Sequence, residues 1–576
     1  MPVIKDLKRP HGVVYTPPEV ARPMAQLALD PLAAGKSADE ILALRVIDPA
    51  AGTGAFLRQI IDVLAGHLIG AWSVRDDGAV ARARRQIAEQ CVFGVDVDDR
   101  ALATARQHLG VPDRHLIAGD ALHLSWSETF PAIAARGGFD AVIANPPYVR
   151  QEWLARNKQR LREFASYDGV ADLYVYFVEL AHQVLRAGGR YCLITPNKWM
   201  TAAYGKKLRS FLADQGSVDG VVDLGRASLF RDADAFPCIV WGTTGSRSAA
   251  PIRAARSTTS AAVGTAVDAA VDHERARWGS GPWHIDAPDD RALLERLEQS
   301  WPRLGEVIST RPSRGVVTGC NQGFVIDRVT RDQLIAADPA SAELIRPFVK
   351  GRDVRPWKIA DAQRWILLID HGTQLDRYPA IRAHLAPHRA QLQPRKPAAP
   401  AGTAGRKPGR YAWYELQDPV GPLVLARGPR LLYQDIQTAP ACALDRGGSV
   451  VPDTTVWILP SDDRFLLAVL NSRLYGWYAR RRFPPALNGA VRPKLAYMMN
   501  VPIADPPLAL REQIRELVDL RIATRDPSKI LRVERDLETA VFDAYRFSAR
   551  DRRRVIGVSS ELTNGSARSG LEADAT

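Results

Sequence analysis

The tetrapeptide Asn145-Pro146-Pro147-Tyr148 combines groups that could activate a planar amine. Its two prolines fix φ and donate no N–H, so the carbonyl groups of Asn145 and Pro146 can be held toward a cleft. The Asn145 side-chain oxygen and the Pro146 carbonyl could each accept one N–H of an exocyclic amine, which would expose the nitrogen lone pair to an electrophilic methyl group. Tyr148 adds a flat face on which a flipped-out base can stack. These groups predict methyl transfer to an NH2 group; a proline-rich turn that closes a strand is the alternative.

Three acidic residues follow successive apolar runs upstream of this motif. Asp48 opens the segment Asp48 to Phe56, whose glycines let the backbone approach a ligand at the start of a helix. Asp96 could accept hydrogen bonds from two ribose hydroxyls, and Asp120 suits the exocyclic amine of an adenine. No GxxxxGK[ST] phosphate motif accompanies them, and an acid beside the glycines favours a cationic ligand. The pattern indicates S-adenosylmethionine over a dinucleotide; the alternative is that the acids are helix caps and turn residues.

Short β-rich runs alternate with helical stretches between Ala43 and Trp241. The runs begin at Arg45, Val92, Leu116, Phe139, Arg190, Val218 and Cys238. Such alternation predicts an α/β fold, with a Rossmann-like mixed sheet that carries helices on both faces. Because these sheets bind ligands beyond the carboxyl ends of their strands, the acids and the Asn145 motif are expected to meet at one edge.

Length and composition exclude several classes of protein. A chain of 576 residues has room for roughly two to four domains. No uncharged apolar run approaches the roughly 18 residues that cross a bilayer, and Met1 to Val20 lacks a secretory apolar stretch. The five cysteines are scattered without CxxC spacing, so neither a disulfide scaffold nor a metal site is predicted. We expect a soluble cytoplasmic protein without membrane contact.

The positive charge lies in one part of the chain. Residues 1–250 sum to +2, whereas residues 301–500 match the entire net charge of +13. Clustered Lys and Arg favour a polyanion because phosphate contacts release counterions; a solvated basic surface is the alternative. Within this region Gln391 to Arg410 has five basic residues, four prolines and no acid, and we expect a mobile loop.

These features predict five segments. Residues 1–245 form the catalytic domain, residues 246–300 a linker rich in small residues, in which Pro251 to Ala255 could be a short strand, and residues 301–507 a basic recognition domain. A helical pair is expected over 508–550, because apolar side chains recur there at helical spacing, and a disordered tail over 551–576.

On these motifs the chain resembles the S-adenosylmethionine-dependent N6-adenine DNA methyltransferases of restriction-modification systems. The order is similar to their gamma arrangement: an N-terminal motif at Gly12 to Glu19, then the cofactor loop, the NPPY motif and an α+β target recognition domain. Thr16 is expected to cap a helix that begins at Pro17, with Glu19 completing a capping box. Looser similarities to the recognition domain lie at Gly315 to Asn321, Phe348 to Val354, Trp413 to Leu416 and Leu470 to Ser472.

The resemblance implies roles for individual residues. Those expected around S-adenosylmethionine are Tyr15, Thr16, Asp48, Ala50, Gly52, Gly54, Phe56, Asp96, Val97, Asp120, Ala121 and Asn145. The expected catalytic residues are Asn145, Pro146, Pro147 and Tyr148. A second aromatic residue should stack on the target base opposite Tyr148, with Phe230 as the first choice and Phe236 as the second.

Double-stranded DNA is the expected partner, and basic side chains interleaved with aromatic ones would position its phosphates. The candidates are Lys198, Lys350, Arg352, Arg355, Arg395, Lys396, Arg406, Lys407, Arg410, Arg481, Arg482 and Lys494. The resemblance also allows a separate endonuclease or defence subunit as a partner. Methylation of RNA or of a protein glutamine amide stays open as an alternative, as does a non-catalytic DNA-binding subunit.

Overall fold

The computed structural model describes residues 16–72, 76, 78–149, 158–225, 236–245, 248–257, 263–397, 403–486 and 489–557. The chain divides into two compact units, Met1–Asp286 and Ala287–Thr576. No helix in these ranges is long and apolar enough to cross a membrane.

Unit 1 is built on one nine-stranded sheet in the order β3-β2-β1-β4-β5-β7-β6-β8-β9. Its strands are β1 (Val46–Asp48), β2 (Val92–Asp96), β3 (Leu116–Ala118), β4 (Phe139–Ala144), β5 (Leu185–Pro196), β6 (Val218–Asp223), β7 (Pro237–Thr243), β8 (Ile252–Arg256) and β9 (Val271–His273). Strands β1 to β5 pair in parallel, and β7 runs antiparallel to its neighbours β5 and β6. The seven predicted strands are present, and the predicted Rossmann-like mixed sheet is confirmed.

The helices of unit 1 cover both faces of the sheet. They are α1 (Pro18–Ala33), α2 (Ala38–Leu42), α3 (Ala55–Ala71), α4 (Ala79–Gln90), α5 (Asp99–Leu109), α6 (Trp126–Thr129), α7 (Pro131–Ala135), α8 (Lys158–Leu161), α9 (Tyr174–Val184), α10 (Lys206–Gln215) and α11 (Val263–Asp268). Successive side chains of a strand point to opposite faces. Val46 therefore enters the core shared with α1, α3 and α4, whereas Ile47 enters the core shared with α9 and α10.

The linker predicted over 246–300 is wrong. Strand β8 pairs in parallel with β6, β9 pairs with β8, and α11 contributes buried side chains to the same core. The linker was predicted because the segment is rich in small residues. Strand pairing, however, needs only backbone hydrogen bonds, and Ala254 is fully buried although its side chain is small. Residues 288–300 form a helix of unit 2.

Unit 2 has two four-stranded sheets, in the orders β10-β19-β16-β17 and β11-β15-β12-β18, and the hairpin β13-β14. Its strands are β10 (Ser313–Arg314), β11 (Val325–Asp327), β12 (Ile345–Val349), β13 (Val354–Arg355), β14 (Lys358–Ile359), β15 (Arg364–Leu367), β16 (Arg430–Gln434), β17 (Cys442–Asp445), β18 (Val451–Pro452) and β19 (Val456–Leu459). The mixture of short strands and helices fits the α+β class expected for this half of the chain.

The helices of unit 2 are distributed along its whole length, and the two longest lie near its carboxyl-terminal end. They are α12 (Pro288–Ser300), α13 (Leu304–Val307), α14 (Asn321–Phe324), α15 (Arg328–Ala337), α16 (Pro379–Leu385), α17 (Arg389–Leu392), α18 (Pro422–Leu425), α19 (Arg464–Asn471), α20 (Arg473–Arg482), α21 (Leu495–Met498), α22 (Leu508–Ala523) and α23 (Pro527–Ala544). Helices α22 and α23 share a core with α12 and α19. The tail predicted from residue 551 is wrong for residues 551–557, which are helical and bury Val555. Residues 558–576 lie outside the described part of the chain.

Candidate functional site

The carboxyl ends of β1, β2 and β4 meet at one edge of the unit 1 sheet. The parallel register sets Asp48 beside Gly94 on β2, and the pairing of Val46 with Ala141 extends the same alignment to β4. Asp96 ends β2, and Asn145 directly follows β4. The fold therefore brings together Asp48, Asp96 and Asn145, which the sequence predicted to share a site.

The glycine loop is fastened over the tips of these strands. Ala51 N–H donates to the Val95 carbonyl at 3.0 Å, and Gly52 N–H donates to Asp96 Oδ2 at 2.8 Å. Gly54 precedes α3 with φ +87°, and a Cβ atom there would lie 2.6 Å from Leu109 Cδ1. Glycine is required at this position for both its conformation and its closeness to α5.

Asp48 is a buried carboxyl group at the base of this loop. Its side chain is about 1% exposed, and Oδ1 accepts a hydrogen bond from Ala50 N–H at 2.9 Å. Burial raises the pKa of Asp48 to about 8, the Ala50 bond opposes the rise, and the charge of Asp96 adds to it. Burial likewise raises the pKa of Asp96. A cationic ligand placed here would stabilise the ionised carboxylates.

The remaining predicted cofactor residues differ in accessibility. Val97 is 56% exposed just beyond β2, whereas Phe56 and Ala121 are buried in the two cores. Phe56 therefore contributes to the packing of α3. Asp120 accepts hydrogen bonds from Leu122 N–H and His123 Nδ1, so part of its carboxylate is engaged in a local turn. Tyr15 lies outside the described residues.

The Asn145 side chain is oriented by the N-terminal segment. Its Nδ2 donates to Thr16 Oγ1 at 3.1 Å, and Thr16 is buried. The predicted capping box is wrong: α1 begins at Pro18, and its N-cap residue Pro17 offers no side-chain hydrogen bond. Since Nδ2 faces Thr16, Oδ1 is the Asn145 atom that can accept a proton donor from a ligand. No sequence signal paired these residues, which lie 129 positions apart.

The aromatic ring of Tyr148 packs edge-on against a neighbouring tyrosine. Its ring meets that of Tyr174 edge-on, with ring centroids 6.3 Å apart, and the hydroxyl groups of Tyr174 and Tyr204 are 2.7 Å apart. Leu173 N–H donates to the Val149 carbonyl, which fastens the segment after Tyr148 to the start of α9. Burial raises the pKa of Tyr148 well above its ordinary value, so this phenol stays protonated at neutral pH.

Strand β7 begins at the same edge because it is antiparallel to β5. Asn197 N–H donates to the carbonyl of Phe236 at 2.7 Å, and the Asn197 side chain donates to Asp223 Oδ1 at 2.8 Å. Phe236 is half-buried and Lys198 is exposed. Phe230, the first choice for the second stacking aromatic, lies outside the described residues.

Three of the predicted DNA-contacting arginines are engaged within unit 2, with Arg406 buried and Arg481 and Arg482 partly buried. Arg406 is about 3% exposed and donates to five backbone carbonyls, among them those of Leu392 and Thr318. Arg481 pairs with Asp290 and Arg482 with Glu298, with guanidinium side chains about 10% and 14% exposed. The guanidinium donors of Arg406 are thus taken up by backbone carbonyls, and the charges of Arg481 and Arg482 by acidic side chains of the same unit.

The other basic candidates of unit 2 lie at its surface. The exposed ones are Arg352, Arg355, Lys396, Lys407, Arg410 and Lys494, and Lys350 and Arg395 are half-buried. In the predicted loop Gln391–Arg410, the backbone N–H of Arg395 donates to the Arg406 carbonyl and that of Arg406 to the Gln393 carbonyl. Backbone hydrogen bonds therefore hold the loop at Arg406, whereas the side chains of Lys396, Lys407 and Arg410 are exposed to solvent. Across the described ranges no group of His, Cys, Asp and Glu side chains could hold a metal ion.

Comparisons with known proteins extend over nearly the whole chain. The Eco57I restriction-modification methylase family model matches residues 90–230. The type II methyltransferase M.PaeR7I of Pseudomonas aeruginosa is 28% identical over 583 residues, which cover 94% of this chain and 92% of that protein. The type II methyltransferase M.BstVI of Geobacillus stearothermophilus is 25% identical over 585 residues, which cover 94% and 97%. The resemblance predicted from the motifs is confirmed.

The fold of the chain is also similar to that of a solved enzyme. The type IIL restriction-modification enzyme MmeI, solved in complex with DNA, matches with a TM-score of 0.62 and 15% sequence identity. The match covers 91% of this chain and 74% of that one.

Proposed function

We propose that this chain, a relative of type II DNA methyltransferases along nearly its whole length, is a site-specific DNA methyltransferase of a restriction-modification system. Its target would be the N6 amine of an adenine flipped out of duplex DNA, and its methyl donor S-adenosylmethionine. The observation that carries the proposal is the position of Asn145, beside Asp48 and Asp96 at one sheet edge, with its amide nitrogen turned toward Thr16.

The residues at the edge fit a cationic nucleoside. Asp48 is a buried acid that the described structure engages with one side-chain hydrogen bond, so a positive group beside it would relieve its unfavourable ionisation. Asp96 already holds Gly52 N–H through Oδ2, and its oxygens have further lone pairs for ribose hydroxyls. Val97, exposed beyond β2, offers an apolar surface for an adenine ring. The cofactor would supply an electrophilic methyl group.

The protein would activate the amine by hydrogen bonding. Asn145 Oδ1 and the Pro146 carbonyl each accept one N–H of the target, and this turns the nitrogen lone pair away from the ring. Tyr148 supports the flipped base by stacking. The new N–CH3 bond would form as the methyl–sulfur bond of the donor breaks, which leaves the nitrogen cationic. Tyr148 stays protonated because its pKa is high, so the surplus proton would pass from this nitrogen to solvent water and not to a tyrosinate.

Substrate-class assays with the full-length protein test this proposal. We expect transfer of labelled methyl groups to duplex DNA and none to tRNA or protein. Asn145→Ala should lower the transfer rate by about 10²-fold or more while cofactor binding, measured by calorimetry, is retained. Asn500→Ala, which changes an exposed asparagine of unit 2, is the matched control. Transfer confined to tRNA or protein, or an undiminished rate in Asn145→Ala, would overturn the proposal.

A further inference from the structure

We infer that Arg314 and Arg492, held by the buried carboxylate of Asp435, form a base-reading pair that recognises guanine in the target sequence. This inference rests on the proposed function, because it names the sequence feature that the methyltransferase would select. Arg314 does not belong to the set of phosphate contacts predicted from the sequence.

The pair is built around one carboxylate in unit 2. Asp435 directly follows β16 and is about 4% exposed. Its Oδ1 accepts hydrogen bonds from Arg314 Nη2 at 2.7 Å and from Trp457 Nε1 at 2.9 Å. Its Oδ2 accepts one from Arg492 Nη2 at 2.5 Å. Two guanidinium groups therefore share one carboxylate, and the cluster carries a net positive charge.

A stack of side chains fixes Arg314 from a second direction. Arg314 on β10, Trp457 on β19 and Tyr433 on β16 are register partners across three neighbouring strands. The Arg314 guanidinium carbon lies 4.9 Å from the centre of the Trp457 ring, which is parallel to Tyr433 within 5°. The same indole that supports Arg314 donates to Asp435, so the guanidinium is held both by its face and by one edge. Such support reduces the entropy lost when Arg314 binds.

Both arginine side chains keep exposed area, although Arg492 Nε is itself buried. The Arg314 side chain is 41% exposed and that of Arg492 is 36% exposed. Arg314 uses one of its five N–H donors for Asp435 and makes no other hydrogen bond to the described residues. A fixed guanidinium fork can donate to O6 and N7 of guanine through two N–H groups in one plane, a geometry that the flexible ammonium group of lysine does not share.

An arginine–aspartate ion pair in the same unit, Arg430 with Asp445, is an example of a fully internal ion pair and serves as a comparison. Arg430 and Asp445 pair at 3.1 Å with side chains about 4% and 5% exposed. Arg430 also donates to the carbonyls of Leu423 and Val450. The N–H donors of Arg430 are therefore used inside the unit. The side chains of Arg314 and Arg492, in contrast, stay partly exposed although the carboxylate that they share is buried.

The experiment compares three variants of the full-length protein. Arg314→Lys keeps the charge but loses the fork, and Arg314→Gln removes both. Arg331→Gln is the matched control, because Arg331 also stacks on a tryptophan, Trp365 at 4.1 Å, and pairs with an aspartate, Asp332. Each protein is used to select duplexes from a randomised library and to methylate genomic DNA, with the modified positions read by single-molecule sequencing.

We expect both Arg314 variants to lose about 10-fold of their preference for guanine at one position of the selected sequence, while Arg331→Gln keeps the wild-type preference. An Arg314→Lys variant with unchanged preference, or a loss spread evenly over all positions, would overturn the inference and indicate a phosphate contact or a structural link. If Arg314→Gln fails to fold, Arg314→Lys alone decides. Library selection reads base preference without methylation, so a wild-type protein that selects a guanine-containing site but transfers no methyl group would overturn the proposed function and leave this inference supported.

Discussion

The two units use their charged side chains in opposite ways. In unit 1 the acids Asp48 and Asp96 lie at strand ends, where they accept hydrogen bonds from backbone N–H groups of the glycine loop. In unit 2 buried carboxylates hold arginines, as Asp290 holds Arg481 and Asp435 holds Arg314. The sequence therefore predicted which acids lie together at the strand ends, whereas membership of a basic region did not predict whether an arginine is exposed or covered.

The largest expected effect separates two basic neighbours of the same loop. Arg406→Gln should lower the free energy of unfolding by about 3 kcal/mol or more, because several backbone carbonyls lose a buried donor. Lys407→Gln should change that free energy by less than about 0.5 kcal/mol, since Lys407 is exposed. Urea unfolding of both variants measures the difference. Equal effects would mean that the contrast between inner and outer basic residues does not hold.

A smaller effect is expected where the N-terminal segment meets the catalytic strand. Thr16→Val removes the hydroxyl that accepts from Asn145 Nδ2 and should lower kcat about 10-fold or more, while Thr16→Ser retains activity. The Kd of S-adenosylmethionine should change little, which distinguishes positioning of Asn145 from cofactor contact. In an Asn145→Ala background Thr16→Val should add no further loss. A further loss of similar size there would show that Thr16 acts independently of Asn145.

The raised pKa of Asp48 predicts a pH dependence of stability. Because its folded pKa of about 8 lies above the unfolded value near 4, the folded state disfavours the ionised form. The free energy of unfolding of the cofactor-free protein should therefore fall as pH rises from about 4 to about 8. Asp48→Asn should remove this component, on the order of a few kcal/mol, and the exposed control Asp39→Asn should keep it. A slope that is unchanged in Asp48→Asn would show that Asp48 is not the buried acid responsible.

The smallest expected effect concerns the exposed basic residues of unit 2. Neutralising Lys407 should lower the slope of log K against log salt for duplex binding by about one, and equally for all sequences. Titrations with two unrelated duplexes at several salt concentrations measure it. A change confined to one duplex would instead make Lys407 a base contact and would weaken the distinction from Arg314.

Local patterns were sufficient for much of the fold and of the site. Each of the strands β1 to β7 is an apolar run that could be recognised alone, and the order of parallel strands then brings Asp48, Asp96 and Asn145 to one edge. Contacts between distant segments could not be predicted. Thr16 and Asn145 lie 129 positions apart, and the capping-box spacing at Thr16 suggested a different role.

The features that the sequence did not predict depend on how separate strands pair in the folded sheets. Strand β8 has few large side chains, yet it joins the sheet between β6 and β9 because both strands pair with its backbone. Arg314, Trp457 and Tyr433 come from three separate strands, so their stacking follows from sheet pairing and not from any local motif. Whether an arginine is exposed depends on the carboxylates and carbonyl groups that the fold places beside it, and these cannot be predicted from composition.

Identification of the methylated nucleoside tests the central proposal most directly. After reaction of the wild-type protein with S-adenosylmethionine and duplex DNA, the DNA is digested to nucleosides and analysed by mass spectrometry. The proposed function predicts N6-methyladenine as the sole new base. Methylation of carbon 5 of cytosine, or of the N4 amine of cytosine without N6-methyladenine, would contradict the proposed target.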